Sequence, residues 1–349
     1  MIYKDAIYIK NIYYMLSYAF KVLNEENFKK IQTESFDNIA ELLSEILAIG
    51  VSGQIKQGLV RDYIEVSETT SSIKGKINIT DSINEQSFIK GQLNCSYDEF
   101  SVNCYLNQIL KSTMNLLIKS NISKPRRHKL RNLLMYFSEV DLIDVDSINW
   151  KIRFDRNNQT YKMLINICNL IINGLIHSEM SGETKLMNFF DDQQMSVLYE
   201  KFLLNYFKKE HPKIKAHTTQ IDWQIEEGWD LLLPKMKTDV TLEYGNKILI
   251  IDAKFYSSNT AENYGKNIHL TGNLYQIFTY VKNKQVELQG KGVEVSGILL
   301  YAQTNEDIQP DSDYVMSGNK ISVKTLDLNQ DFTEIKSQLD GIVLKYLNR

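Results

Sequence analysis

Residues Met236–Tyr256 read MKTDVTLEYGNKILIIDAKFY, and the fold of this chain turns on how that stretch pairs with itself. Apolar and β-branched residues flank Gly245 and Asn246, which predicts a strand over Thr238–Glu243, a turn, and a buried strand over Lys247–Phe255. A two-residue turn pairs Tyr244 with Lys247. Stepping outward along both strands sets Asp239 opposite Asp252, with Cβ atoms about 4.5–5.5 Å apart. Alternation puts Lys254 on the face of Asp252, while Val240, Leu242, Leu249 and Ile251 face the other way.

Two carboxylates held side by side repel, and a hard divalent cation such as Mg²⁺ relieves that repulsion with oxygen ligands. A bound ion polarises a phosphate oxygen and acidifies water, and a neighbouring lysine neutralises developing charge. The group Asp239, Asp252 and Lys254 therefore suits phosphodiester hydrolysis. Asp-x-Lys alone is a weak signal, equally explained by a charged pair at a sheet rim; the facing Asp239 makes it more specific.

Two flanking helices add to the group. Glu200, in the helical pattern MSVLYEKFLLNYF, is a candidate third acid and metal ligand, or an ordinary exposed helical glutamate. Gln276 and Tyr280, four apart on a helix beginning near Asn273, point one way and reach the sheet if Leu274, Ile277 and Phe278 anchor the helix. Simple packing of that helix on the sheet is the competing explanation.

With 349 residues and 43% hydrophobic content, the chain is long enough for two domains. Cys95, Cys104 and Cys168 are scattered without CxxC spacing, against both a disulfide framework and a zinc site. The start lacks a signal-peptide core and no run approaches a membrane span, so a cytoplasmic protein is expected. A formal net charge of −3 gives no global signal for nucleic acid. The densest basic stretch is Lys124, Arg126, Arg127, His128, Lys129 and Arg131, with Lys151, Arg153 and Arg156 following. It is either a DNA-facing surface or, the preferred reading, the solvated side of a helix opened by Pro125 whose apolar face is Leu130, Leu133, Leu134 and Phe137.

Helical periodicity marks Ile9–Phe20, Ile39–Ile49, Tyr105–Lys119, Tyr161–His177, Met195–Lys208 and a last helix near Phe332–Leu347, while Asp62–Asp81 and Leu93–Ser101 read as strands. The expected class is mixed α/β: an N-terminal α+β domain over residues 1–157, then a domain over 158–349 with a central mixed sheet flanked by helices, the boundary falling near Asn157–Gln159.

The order of acid-bearing helix, Asp239, Asp252-Ala253-Lys254 and Gln276-x-x-x-Tyr280 is similar to the PD-(D/E)XK nuclease superfamily, in the branch with a QxxxY helix that includes RecB-like nucleases. NIYYMLSYAF near the start, the Gly75-Lys76-Ile77 step, TDVTL and KILIIDAKFY followed by NLYQIFTY resemble the McrC family, the nuclease subunit of McrBC-type restriction systems, across nearly the whole chain. The resemblance implies catalytic acids at Asp239 and Asp252, the lysine at Lys254, and Mg²⁺ as cofactor. It departs at Thr238, which stands where the superfamily name has proline. It further implies a McrB-like AAA+ GTPase partner that carries the GTP, double-stranded DNA as substrate, pairing of two nuclease subunits for a double-strand break, and a motor-docking role for the N-terminal half. The chain itself has no GxxxxGK[ST] phosphate loop. A stand-alone repair or processing nuclease and a non-catalytic adaptor of the motor are the alternatives.

Overall fold

The computed structural model describes residues 7–154, 159–180, 192–228, 232–256, 258–263 and 266–347. By Cα proximity the chain divides into one unit of Met1–Ile39 with Ile176–Arg349, and a second of Ala40–Leu175. This division is discontinuous, with its later boundary inside a helix, and the expected cut at 157/158 lies outside the described residues. Helix α1 (Ile9–Ala19) joins the first segment to the last. Asn11, 2% exposed, donates through Nδ2 to the carbonyls of Leu328 (2.8 Å) and Gln330 (2.7 Å), and the Tyr14 ring stacks on Phe332 at 4.4 Å. A buried amide left without those acceptors would cost about 1–3 kcal/mol, so the bonds tie the first segment to the last.

The second unit begins with α2 (Ile39–Gln57), whose continuous apolar face exceeds the Ile39–Ile49 expectation. Strands β1 (Asp62–Thr70) and β2 (Lys76–Ile77) follow, then a short helix α3 (Ile79–Asn84) and β3 (Leu93–Ser101). The three strands form an antiparallel sheet in the order β1-β3-β2. The expectation of strand through Asp81 fails at α3, where Ser82 donates to the Asn78 carbonyl and starts a helical turn. Helices α4 (Tyr105–Lys119), α5 (Lys124–Leu134) and α6 (Gln159–Met180) complete the series. Asn107, fully buried, donates to the Val60 and Val102 carbonyls and accepts from the Tyr161 hydroxyl, joining α4, α6 and the entry to β1.

In the first unit, α7 (Asp192–Glu210) leads into β4 (Lys215–His217), β5 (Gln220–Ile221), β6 (Met236–Lys237), β7 (Val240–Tyr244) and β8 (Lys247–Lys254). A small ribbon of β9 (Thr260–Asn263) and β10 (Lys266–His269) precedes α8 (Thr271–Glu287), β11 (Glu294–Ala302), β12 (Ser312–Met316), β13 (Asn319–Leu326) and α9 (Phe332–Leu347). The main sheet is mixed, in the order β12-β13-β11-β8-β7-β4, with β8, β11 and β13 mutually parallel and the outer pairings antiparallel. Joining parallel β8 to β11 requires a crossover, and α8 provides it.

One face of this sheet buries Ile250, Leu299, Tyr301, Ile321 and Val323 with Ile277, Tyr280 and Val281 of α8. On the other side, Phe255 just past β8 meets Tyr199 of α7, ring centroids 6.0 Å apart. Both faces of β8 are therefore covered, which is why KILIIDAKF reads as a near-continuous apolar run rather than an alternating one. The mixed sheet with flanking helices agrees with the expected class. Among the described residues no helix is long and apolar enough to cross a membrane.

Candidate active site

The β7–β8 hairpin has the expected register: Tyr244 pairs with Lys247, and pairing runs out to Val240 with Ile251. The turn is Gly245-Asn246. Only Gly245 has positive φ (59°), the conformation that a type II′ hairpin assigns to its first central residue.

The expected strand from Thr238 is broken. β6 ends at Lys237 and pairs with β5, β7 begins at Val240, and Thr238-Asp239 forms the step between them. Thr238 holds that step: its N–H donates to the Thr219 carbonyl at 2.9 Å, and its hydroxyl accepts from the Thr219 N–H at 2.9 Å. Proline could make neither bond, so threonine at this position has a local structural reason.

Because the ladder stops at Val240, the Ala253 N–H has no backbone partner there, and Asp239 Oδ2 accepts it at 2.8 Å. That bond holds Asp239 against β8 beside Asp252. Asp252 is 1% exposed, with Oδ2 at 2.8 Å from Lys254 Nζ. The Lys254 ammonium is therefore the positive charge held against this buried oxygen. Lys254 Nζ also donates to Gln276 Oε1 at 3.0 Å, and Gln276 Nε2 donates to the Tyr280 hydroxyl at 2.9 Å. The structure thus brings Asp239, Asp252, Lys254, Gln276 and Tyr280 into one connected group.

The electrostatics match this crowding. Burial, then the charges of Asp252 and Glu200, push the Asp239 carboxyl up to about 7. Burial raises Asp252 as well, against the pull of Lys254. Burial opposes charge on Lys254, but Asp252 more than offsets it and the amine stays above its usual range. Glu200 on α7 is raised by burial and by Asp252 while Lys254 pulls it down, so it shares the field of the group. It does not complete a ligand set: among the described residues no three His, Cys, Asp or Glu side chains are gathered to hold a metal ion. The two aspartates nevertheless fit a hard cation. Both offer oxygen, and burial destabilises both as anions.

Three residues near the group escaped the sequence analysis. Tyr301 on β11 lies beside Lys254 in the parallel ladder, and its hydroxyl accepts from Asn273 Nδ2 at 2.9 Å. The Tyr256 hydroxyl reaches Asn273 Oδ1 at 3.5 Å. Asn273 was readable, standing three before Gln276 and seven before Tyr280 on one helix face. Tyr301 was not, since nothing local announces which strand will pair with β8.

The basic stretch forms the expected helix, α5, with Pro at its first turn and with Leu130 and Phe137 buried. It belongs to the other unit.

Comparison with known proteins agrees with the resemblance. The chain is 28% identical over 350 residues to the type IV methyl-directed restriction enzyme EcoKMcrBC of Escherichia coli (strain K12), covering 99% of each chain. Among solved structures, the refined half-complex from a tetradecameric assembly of Thermococcus gammatolerans McrB AAA+ hexamers with bound McrC matches at TM-score 0.52 and 16% identity, over 96% of this chain and 76% of that one, a likeness of fold. A family model, McrBC 5-methylcytosine restriction system component, matches residues 5–302. Since that match spans most of the chain, this protein belongs to the McrBC restriction system component family.

Proposed function

We propose that this chain is the DNA-cutting subunit of its restriction system, a Mg²⁺-dependent endonuclease of the PD-(D/E)XK type. The observation that carries the reading is the neighbouring pair Asp239 and Asp252, buried, with both carboxyls shifted up and Lys254 alongside. Asp239 and Asp252 would hold the ion, which when bound supplies Lewis-acid polarisation of a phosphodiester and activation of water.

The chain's own residues do the rest. Asp252 and Gln276 hold the Lys254 amine from two sides, and Tyr280 fixes the Gln276 amide so that its oxygen, rather than its NH₂, faces the amine. The amine is thereby aimed where negative charge accumulates as a phosphate is attacked. Asp239 keeps one oxygen on the Ala253 N–H, which leaves the other for the ion. Glu200 adds negative field that favours a cation over bare carboxylates.

The Thermococcus gammatolerans assembly holds McrC bound to McrB AAA+ hexamers, which supports a McrB-like GTPase as the partner that brings this chain to DNA. A double-strand break would call for two such subunits, one per strand. The test is to purify the chain with its AAA+ GTPase and to incubate methylated and unmethylated duplexes with GTP and Mg²⁺. Cutting of one of the two duplexes is expected only with all components present and is abolished by chelation. Absence of cutting on both duplexes, or cutting indifferent to chelation, would contradict the proposal.

A further inference from the structure

Helix α5 sorts its charges. Arg126 turns inward, its Nε 2.6 Å from Glu41 and its Nη1 3.8 Å from Glu45; Lys129 Nζ lies 2.6 Å from Glu45. Arg127 donates to the carbonyls of Ser120 and Ile122. These three serve the unit's own packing. Lys124, His128 and Arg131 are exposed, and among the described residues none has an ion-pair or hydrogen-bond partner of its side chain. They stand at i, i+4 and i+7, so they project from one helix face. Residues 121–138 contain no Asp or Glu, which leaves this face positive on a chain whose formal net charge is −3.

We infer that the Lys124–His128–Arg131 face of α5 is a contact surface for the phosphate backbone of duplex DNA. The inference rests on the proposed nuclease reading, which makes DNA the substrate. Charge complementarity selects the occupant, and spacing refines it. Seven residues of helix rise about 10 Å, the axial length of about three successive phosphates on one strand. Two long cationic side chains, Lys124 and Arg131, with the His128 ring between them suit a regular polyanion at that spacing, and they read no base, so they position DNA without choosing a sequence. The inward Glu41 and Glu45 anchor the helix while consuming only Arg126 and Lys129, which keeps the outer row free.

The experiment measures binding of the full chain to a fluorescent duplex of arbitrary sequence at several salt concentrations between about 50 and 200 mM. A Lys124→Gln, Arg131→Gln double variant is compared with the parent, both carrying Asp252→Ala so that cleavage does not intrude. The expected result is a log–log salt slope shallower by roughly two, with the two curves converging as salt rises and the melting temperature unchanged. An unchanged slope, with the Lys124→Gln, Arg131→Gln variant on the intact Asp252 background still cutting DNA as wild type with its partner, overturns the surface and leaves the nuclease reading standing. Loss of association with the AAA+ partner at unchanged DNA slope also overturns it, assigning the face to an acidic protein surface. A wild-type chain that neither retains nor cuts DNA, alone or with its partner, would sink both.

Discussion

Replacing Asp252 by Ala abolishes DNA cleavage by the complete complex, by about 10²–10³-fold or more, while stimulation of the partner's GTP hydrolysis persists. The size follows from what Asp252 does: it is 1% exposed, its Oδ2 contacts Lys254 at 2.8 Å, and its charge acts on Asp239, which is held beside it by the Ala253 N–H. Removing it takes away half of the proposed ligand pair and one of the two anchors of the lysine. The remaining anchor, Gln276, is neutral and would hold the amine less firmly. GTP hydrolysis is the discriminating readout, because a collapsed fold would lose both activities. A chain that acts only as an adaptor would lose neither, and cleavage at the wild-type rate in this variant would dismiss the catalytic assignment. The assay is plasmid cleavage in parallel with phosphate release.

Gly297→Val destabilises the protein by about 3 kcal/mol, the upper range for forcing extra atoms into a packed core. Gly297 lies mid-strand on β11, between Ile250 of β8 and Ile321 of β13. A Cβ there would stand 2.6 Å from Val281 Cγ2 and 2.8 Å from Ile277 Cγ1, both on α8. The helix sits close to the sheet because this position has no side chain. The same closeness brings Gln276 to Lys254, so the variant lowers cleavage even where it remains folded. Urea unfolding measures the first effect, and a midpoint equal to wild type would show that α8 has room to withdraw.

Much of this was legible from residue order alone, for reasons particular to certain residues. The Gly245-Asn246 turn fixes the register of its hairpin as far as Val240 and Ile251, while Asp239 is brought beside Asp252 by its bond to the Ala253 N–H rather than by strand pairing. Strand β3 and helices α4 and α9 agree with their expected limits because their patterns are local and uninterrupted. What failed depends on distance. Nothing near Asn11 reveals that its acceptors are the carbonyls of Leu328 and Gln330, so a link between the first and last segments cannot be read from residue order. The break at Thr238-Asp239 was hidden because its cause, Thr219, lies across a loop. Glu200 could be flagged by residue type and helix, but its field on Asp239 belongs to the packed structure.

The central claim is that Asp239 and Asp252 share one divalent cation, and calorimetric titration of Mg²⁺ or Mn²⁺ into the metal-free chain addresses it directly. The Asp239 carboxyl, shifted up to about 7, keeps its proton below that pH, and an entering ion must displace it. Affinity should therefore climb as pH is raised through about 7 and level off above, with a proton released to buffer on the acid side. Asp239→Asn and Asp252→Asn should each remove the binding. Binding that survives both substitutions, or that ignores pH across this interval, would contradict the account.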